Sequence, residues 1–218
     1  MKTVNNIDLI LQSNIFWNPN IYISGKHAYC VSLIKRTKDA KDDDVMHINY
    51  NFVGDIFLVY SKEELREKMP YIITYCDMYN ARAYLTLNPI NLSLMYKNLT
   101  YLCLSGLNNS YEMPGMENLY NINFFMDSSI LKAEVLHYQM ADCDTLIPEE
   151  QRKVRNTINM FYEENKIVGS FPSIQGIHYI IKTPFNVNLY NENVKKTGIS
   201  AHCVPNPRVL IYYKSWRY

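Results

Sequence analysis

The sequence predicts an α+β protein: two α/β units packed together, the second built on a largely antiparallel sheet with helices on one side. Three observations predict it. Ala28 to Lys35, Ala81 to Leu87, Ile177 to Lys182 and Arg208 to Tyr213 are runs rich in apolar, β-branched and aromatic residues, and they read as strands. Apolar residues recur instead at helical spacing behind Ser61 and again from Leu92 to Leu102. In the second half a strand, a helix, a strand, a hairpin turn and a strand follow one another, an order suited to an antiparallel sheet covered by helices.

Composition bounds what such a chain can be. Its 218 residues, 48% hydrophobic and 20% charged, suffice for one sizeable core or two small, closely packed modules. A net charge of +1 gives no overall field toward nucleic acid or membrane, so any nucleic-acid contact needs a local basic patch. The five cysteines, at 30, 76, 103, 143 and 203, are odd in number and show no Cys-x-x-Cys spacing. They argue against a disulfide framework or a zinc knuckle and for a reducing compartment. The segment Met1 to Asn6 opens no long apolar run, so neither a secretory signal nor a membrane span is expected. The expected setting is the cytoplasm.

The elements follow in order. Ile7 to Leu11 form one or two helical turns, and Phe16, Trp17 and Pro19 belong to a packed loop. The first clear strand, Ala28 to Lys35, puts Tyr29, Val31 and Leu33 on one face. The basic residues after it either touch phosphate or form an exposed turn, and Asp42, Asp43 and Asp44 read as a solvated hairpin tip. Strands are expected near Val45 to Asn51 and Ile56 to Tyr60. Ser61 and Glu64 then form a capping box for a helix with Leu65, Met69, Ile72, Ile73, Cys76 and Tyr79 on one face; Pro70 is expected to kink or divide it. In Ala81 to Leu87, Arg82 and Tyr84 share one face and Ala83 and Leu85 the other. Arg82 is there either a structural ion-pair partner or an anion-binding group. Leu92, Met95, Tyr96, Leu99 and Leu102 mark a second helix, and residues 106 to 118 read as a linker or surface loop. The expected division is therefore 1–118 and 119–218. Asp127 to Ser129 are expected to cap a short helix through Ala133.

The chemistry is concentrated after that. Val135 to Asp144 reads as a strand ending in two carboxylates, and period-two alternation sends Asp142 and Asp144 to the same side. Two neighbouring carboxylates repel each other unless a cation lies between them, and Mg²⁺ or Mn²⁺ suits such oxygen ligands. The alternative is a solvated turn leading into the helix that Thr145 and Pro148 introduce, from about Glu149 to Glu164. Cys143, between the aspartates, faces packing and is not read as a nucleophile. Lys166 to Ser170 begins a strand, Ser173 to Gly176 is a turn, and His178 stands just past it on the next strand, either as a ligand-reaching group or as a satisfied structural histidine.

Asp142-Cys143-Asp144 followed by Ser173-Ile174-Gln175-Gly176-Ile177-His178 resembles the archaeo-eukaryotic primase superfamily, in which a strand ends in Asp-x-Asp and a Ser- and Gly-rich turn leads to a strand with histidine. Lys35-Arg36-x-Lys38-Asp39, Asn80 to Tyr84, Gly176 to His178 with Thr183-Pro184-Phe185, and Asn206-Pro207 with Leu210 to Tyr212 are similar to a group of small proteins of phages and gut bacteria. With this resemblance the second module is expected to be RRM-like and primase-like.

The resemblance implies nucleotidyl transfer of the kind used in DNA replication. Asp142 and Asp144 would hold Mg²⁺ or Mn²⁺, His178 and Ser173 would bind an incoming nucleoside triphosphate, and Arg82 would support phosphate or template. Nucleic acid is the implied partner, with no membrane; the setting would be the host cytoplasm for a phage protein. A protein partner is the alternative, in a relative reduced to binding. Two departures stand out. Ile199 to Pro205 contains no Asp or Glu where the superfamily places a third acid, so His202 substitutes as a ligand only if it faces the site. Ser173 is also one residue closer to the histidine than in the usual spacing.

Overall fold

The computed structural model describes residues 3–36, 52–109, 122–160, 166–204 and 207–215. Among them lie six helices and two antiparallel sheets, an α+β fold. The expected strand at 45–51, the aspartates at 42–44 and the end of the helix expected to reach Glu164 fall outside the described residues.

The first sheet is ordered β1-β10-β4-β2-β3: β1 (Thr3–Asn5), β10 (Arg208–Lys214), β4 (Arg82–Thr86), β2 (His27–Lys35) and β3 (Phe52–Val59), with β5 (Ile90–Asn91) pairing β2. Both faces of β2 are buried. Tyr29, Val31 and Leu33 pack with Ala83 and Leu85 beneath helix α2 (Lys62–Tyr79), as the alternation predicts. Cys30, on the opposite face, packs with Met95 of helix α3 (Leu92–Asn109) and Ile130 of helix α4 (Ile122–Leu131).

Helix α2 starts where its capping box predicts. The Ser61 hydroxyl accepts the Glu64 N–H at 3.0 Å, while the Glu64 carboxylate accepts the Tyr60 N–H at 2.8 Å. Ser61→Ala should cost about 1 kcal/mol in urea unfolding, because the Glu64 donor loses its acceptor. Pro70 lies inside this helix and does not divide it. The left-handed Asn80 (φ 49°) ends it, and the Asn80 and Ala81 N–H groups both donate to the Cys76 carbonyl.

The second sheet is ordered β7-β8-β6-β9: β7 (Ile167–Pro172), β8 (Ile177–Lys182), β6 (Tyr138–Cys143) and β9 (Ala201–Val204). Along the chain it runs β6, α5 (Pro148–Met160), β7, β8, α6 (Val187–Lys196), β9, a β-α-β-β-α-β order. One face packs Ala141, Cys143, Tyr179 and Ile181 against Val154 and Ile158 of α5 and Tyr190 and Val194 of α6. The other face sends Tyr138, Met140, Phe171 and Ile180 into the core of the first sheet, where Phe16 of the packed loop lies 6.0 Å from Phe171 between ring centroids.

Polar side chains tie the two sheets together. The buried Asn6 amide donates to the carbonyls of Pro172 in β7 and Leu210 in β10, both at 2.8 Å. The fully buried Asn88 accepts the N–H groups of His137 and Tyr138 and donates to the Tyr138 carbonyl. Strand β6 accordingly begins at Tyr138 rather than Val135.

Several expectations change. Strand β10 lies beyond the division at 118/119 yet belongs to the first sheet, between β1 and β4. Its apolar residues Val209 and Ile211 fill the first core, a long-range pairing that no local pattern encodes. Residues 106–109 extend α3 instead of opening a linker. Asp127 to Ser129 lie within α4, where the Ser129 hydroxyl donates back to the Phe125 carbonyl instead of capping. Helix α6 was not anticipated from periodicity; Asn186 caps it by accepting the Leu189 N–H. All five cysteines are free. Among the described residues no helix is long and apolar enough to cross a membrane.

Candidate functional site

Strands β6 and β8 pair so that Asp142 stands directly opposite His178, and β6 and β9 pair so that it stands directly opposite His202. Directly opposed residues of antiparallel neighbours project to the same face. Asp142 is thus the centre of a row running His178, Asp142, His202 on the face turned toward the first sheet. Cys143 projects the other way, and burial pushes its thiol up to about 11, which keeps it protonated and unreactive.

Between the sheets opens a cleft of about 200 Å³. Its acidic wall is Asp142 and Asp144 beside His178, with Ser173 from the β7–β8 turn. Its opposite wall comes from the first sheet: Arg36, just past β2, Arg82 and Tyr84 of β4, and Arg208 of β10. Ile34 faces Arg82 and Ser32 faces Tyr84 in the β2–β4 register, and Leu210 faces Tyr84 from β10, which groups these side chains on one surface.

The acidic wall is poorly satisfied. Asp142 Oδ1 lies 3.3 Å from His178 Nε2, an ion-pair distance without the alignment of a hydrogen bond. Asp142 Oδ1 and His178 Nδ1 are both buried and have no hydrogen-bond partner among the described residues. Burial by itself raises the Asp142 carboxyl, but the His178 imidazole, followed by His202 and Arg36, outweighs it and holds the group below its ordinary value. Asp142 is therefore a carboxylate at neutral pH. His178 is only 6% exposed, so its unpartnered nitrogen carries a desolvation cost that a ligand would relieve.

The basic wall is arranged around Tyr84. The Arg36 guanidinium lies 5.7 Å from the centre of the Tyr84 ring, and its Nε is buried without a hydrogen-bond partner among the described residues. Arg82 lies over the Tyr213 ring at 4.9 Å and makes a long contact, 3.5 Å, with the Tyr84 hydroxyl. Arg208 is already engaged: it donates to the Ser32 hydroxyl at 3.0 Å and pairs with Asp127.

The turn between β7 and β8 fixes the depth of the acidic wall. Ser173 N–H donates to the Gly176 carbonyl at 2.9 Å, and the Ser173 hydroxyl accepts the Gly176 N–H at 3.0 Å. Gly176 presses directly on the chain that carries the aspartates. A Cβ there would stand 1.8 Å from the Cys143 carbonyl oxygen and 2.8 Å from the Thr145 backbone. On the other side, Asp144 N–H donates to the Ser200 carbonyl at 2.8 Å.

All five residues singled out by sequence, Asp142, Asp144, His178, Ser173 and Arg82, line this one cleft. His202 does not: it stands in register with Asp142 but lines a neighbouring groove. Among the described residues no group of three or more His, Cys, Asp or Glu side chains is assembled as a metal site. Sequence reasoning passed over Arg208 and Tyr84 and left Arg36 between a phosphate contact and an exposed turn. The available signal was a polar side chain every second residue in otherwise apolar strands, as with Ser32 in β2 and Arg82 and Tyr84 in β4.

Behind the basic wall lies Glu134. Its Oε1 is buried without a hydrogen-bond partner among the described residues, and burial pushes its carboxyl up to about 7 against the opposing pull of Arg208 and an Asn88 hydrogen bond. Between its ordinary 4.5 and about 7 the folded protein keeps a proton that the unfolded chain has released. Stability therefore falls as pH rises through that window and is level above it. Glu134→Gln should stabilise the protein at pH 8 by up to about 3 kcal/mol and leave it unchanged at pH 4, measured by urea unfolding at both.

The fold and cleft together define an α+β protein in which an acidic and a basic wall meet between two antiparallel sheets. No protein-family model matches the chain, and no curated protein and no solved structure is significantly similar to it.

Proposed function

We propose that this cleft binds a nucleoside triphosphate with a divalent cation and serves metal-dependent nucleotidyl transfer of the primase-polymerase kind. One observation carries the reading: two carboxylates and a buried imidazole face arginines across a single cleft. A triphosphate needs both signs of charge, cationic donors for its oxygens and carboxylates for the metal it brings with it. The β-α-β-β-α-β order of the second sheet, which we read as RRM-like, agrees with it.

The residues present fit Mg²⁺ or Mn²⁺. Such ions are commonly held by one or two carboxylates, with phosphate oxygens and waters completing the shell, so Asp142 and Asp144 suffice as the protein's share. A bound ion would supply charge neutralisation at the reacting phosphate. Arg36 and Arg82 would hold phosphate oxygens, His178 would donate to one through an N–H, and Ser173 would shape the turn around them. The second substrate would be the 3′-hydroxyl of a nucleic acid strand.

A second reading is a binding module of the same fold with reduced catalysis. It is favoured by the absence of an assembled three-ligand group among the described residues and by His202 standing opposite Asp142 on the strand expected to carry a third acid. Titration with nucleoside triphosphate with and without Mn²⁺, followed by Mn²⁺-dependent incorporation of labelled nucleotide on primed and unprimed templates, tests both. Binding with incorporation supports transfer, binding without turnover supports the module, and no metal-dependent binding overturns the site.

A further inference from the structure

The cleft between the sheets is small for a whole nucleotide. Its volume of about 200 Å³ lies below the range of about 300 to 1,000 Å³ in which pockets enclose a drug-sized molecule. A nucleoside triphosphate is of that size, and its phosphate chain with a metal ion is less than half of it. The apolar lining also has little surface to give. Met140 and Leu210 are 3% and 2% exposed, because Met140 belongs to the core between the sheets and Leu210 packs with Val4 and Tyr213. Ile34 packs against the same cluster as Leu210. These side chains form a floor with little free area for a base or sugar to bury. The Tyr84 ring is not open for stacking either. It is 8% exposed, Arg36 lies over it at 5.7 Å, and Arg82 contacts its hydroxyl. Gln175 stands exposed on the turn at the rim, away from that floor.

We propose that the cleft recognises the metal-bound phosphate chain and leaves the nucleoside outside, so that inorganic triphosphate is a ligand in its own right. The inference rests on the reading of the cleft as a metal–triphosphate site and narrows what that site reads. Charge is what the walls supply. Arg36 and Arg82 stand across from Asp142 and Asp144, while Arg208 is offset by its pair with Asp127. The two walls are thus close to balance, and a divalent ion at the carboxylates tips the cleft positive. A polyphosphate answers that surplus with its oxygens, bound by planar guanidinium donors on one side and by the ion on the other. A neutral base answers none of it. The affinity of any nucleoside triphosphate is therefore carried by the part that all of them share with the inorganic ion.

The test titrates inorganic triphosphate, the nucleoside triphosphates ATP, CTP, GTP and UTP, and adenosine monophosphate into the protein in excess Mn²⁺. Inorganic triphosphate and the four nucleotides are expected to bind within about fivefold of one another, and the monophosphate at least about thirtyfold more weakly. A wider gap between inorganic triphosphate and the nucleotides, or among the four bases, overturns the inference and leaves the cleft standing. So does a monophosphate that binds as tightly as ATP. Binding of inorganic triphosphate without any nucleotide supports the inference and overturns nucleotidyl transfer. Binding of nothing overturns both. Arg36→Ala should weaken inorganic triphosphate and ATP by the same factor, about tenfold, with a urea midpoint that reports folding. Asp142→Asn, which keeps the side chain's shape, should abolish the Mn²⁺-dependent binding of both. If either variant weakens ATP alone, the inorganic ion binds elsewhere and the inference falls.

Discussion

Gly176→Ala is expected to destabilise the protein by about 3 kcal/mol and to abolish metal-dependent nucleotide binding. The added methyl would meet the Cys143 carbonyl oxygen at 1.8 Å and the Thr145 N and O at 2.8 Å, all backbone atoms. No rotamer change relieves such a contact; β8 must lift away from the end of β6. That end is the Asp142–Asp144 segment, held between Gly176 on one side and the Ser200 carbonyl on the other. Moving it also separates Asp142 from His178, its partner in the same pair of strands. Urea unfolding gives the stability change, and triphosphate titration gives the functional one. The contrast is Gly169→Ala, whose new methyl would meet only the tip of the Ile15 side chain, a contact that a rotamer can relieve. A Gly176→Ala variant within about 0.5 kcal/mol of wild type would mean that the close approach is not a constraint.

Asp142→Asn is expected to remove Mn²⁺-dependent triphosphate binding and to lower nucleotide incorporation at least about a hundredfold, the scale of losing several kcal/mol of charge stabilisation. The change keeps the shape of the side chain and deletes its charge. Two consequences follow from the surroundings. The cation loses one of its two carboxylates, and the positive charge of Arg36 and Arg82 is no longer balanced. Binding of triphosphate without metal should therefore be retained or slightly strengthened, while the metal-dependent part disappears. This opposite response separates a metal-holding carboxylate from a merely structural one, whose loss would weaken binding with and without metal alike. Incorporation that persists in the variant would remove Asp142 from the chemistry.

Some of this was legible in local pattern and some was not, and the difference lies in range. Period-two alternation set Asp142 and Asp144 on one side of β6 and Cys143 on the other, because side-chain direction in a strand depends only on its own backbone. The capping box at Ser61 was equally readable, since all its partners lie within four residues. The tight turn at Ser173 to Gly176 signalled the β7–β8 hairpin, which sets His178 opposite Phe171, whereas its place opposite Asp142 comes from the long-range pairing of β8 with β6. Helix α4 was misread because Asp127 and Ser128 resemble a cap, whereas the neighbouring apolar residues Met126 and Ile130 pack with the first sheet and carry the helix through them.

Local pattern alone placed most of the longer strands and helices, the acidic pair and its direction, and the histidine on a strand past a tight turn, but not β1, β5 or β9. Only the tertiary structure decided that β10 leaves the second half to lie between β1 and β4, and that Arg208 therefore reaches the same cleft as Arg36 and Arg82. It alone decided that His202 lines a separate groove although it pairs with Asp142. The physical reason is that strand order and the meeting of two sheets are set by burial summed over distant segments, as in the core shared by Phe16, Tyr29, Phe171 and Ile211. A basic wall assembled from residues 36, 82 and 208 has no local signature, because what unites it is the sheet and not the chain.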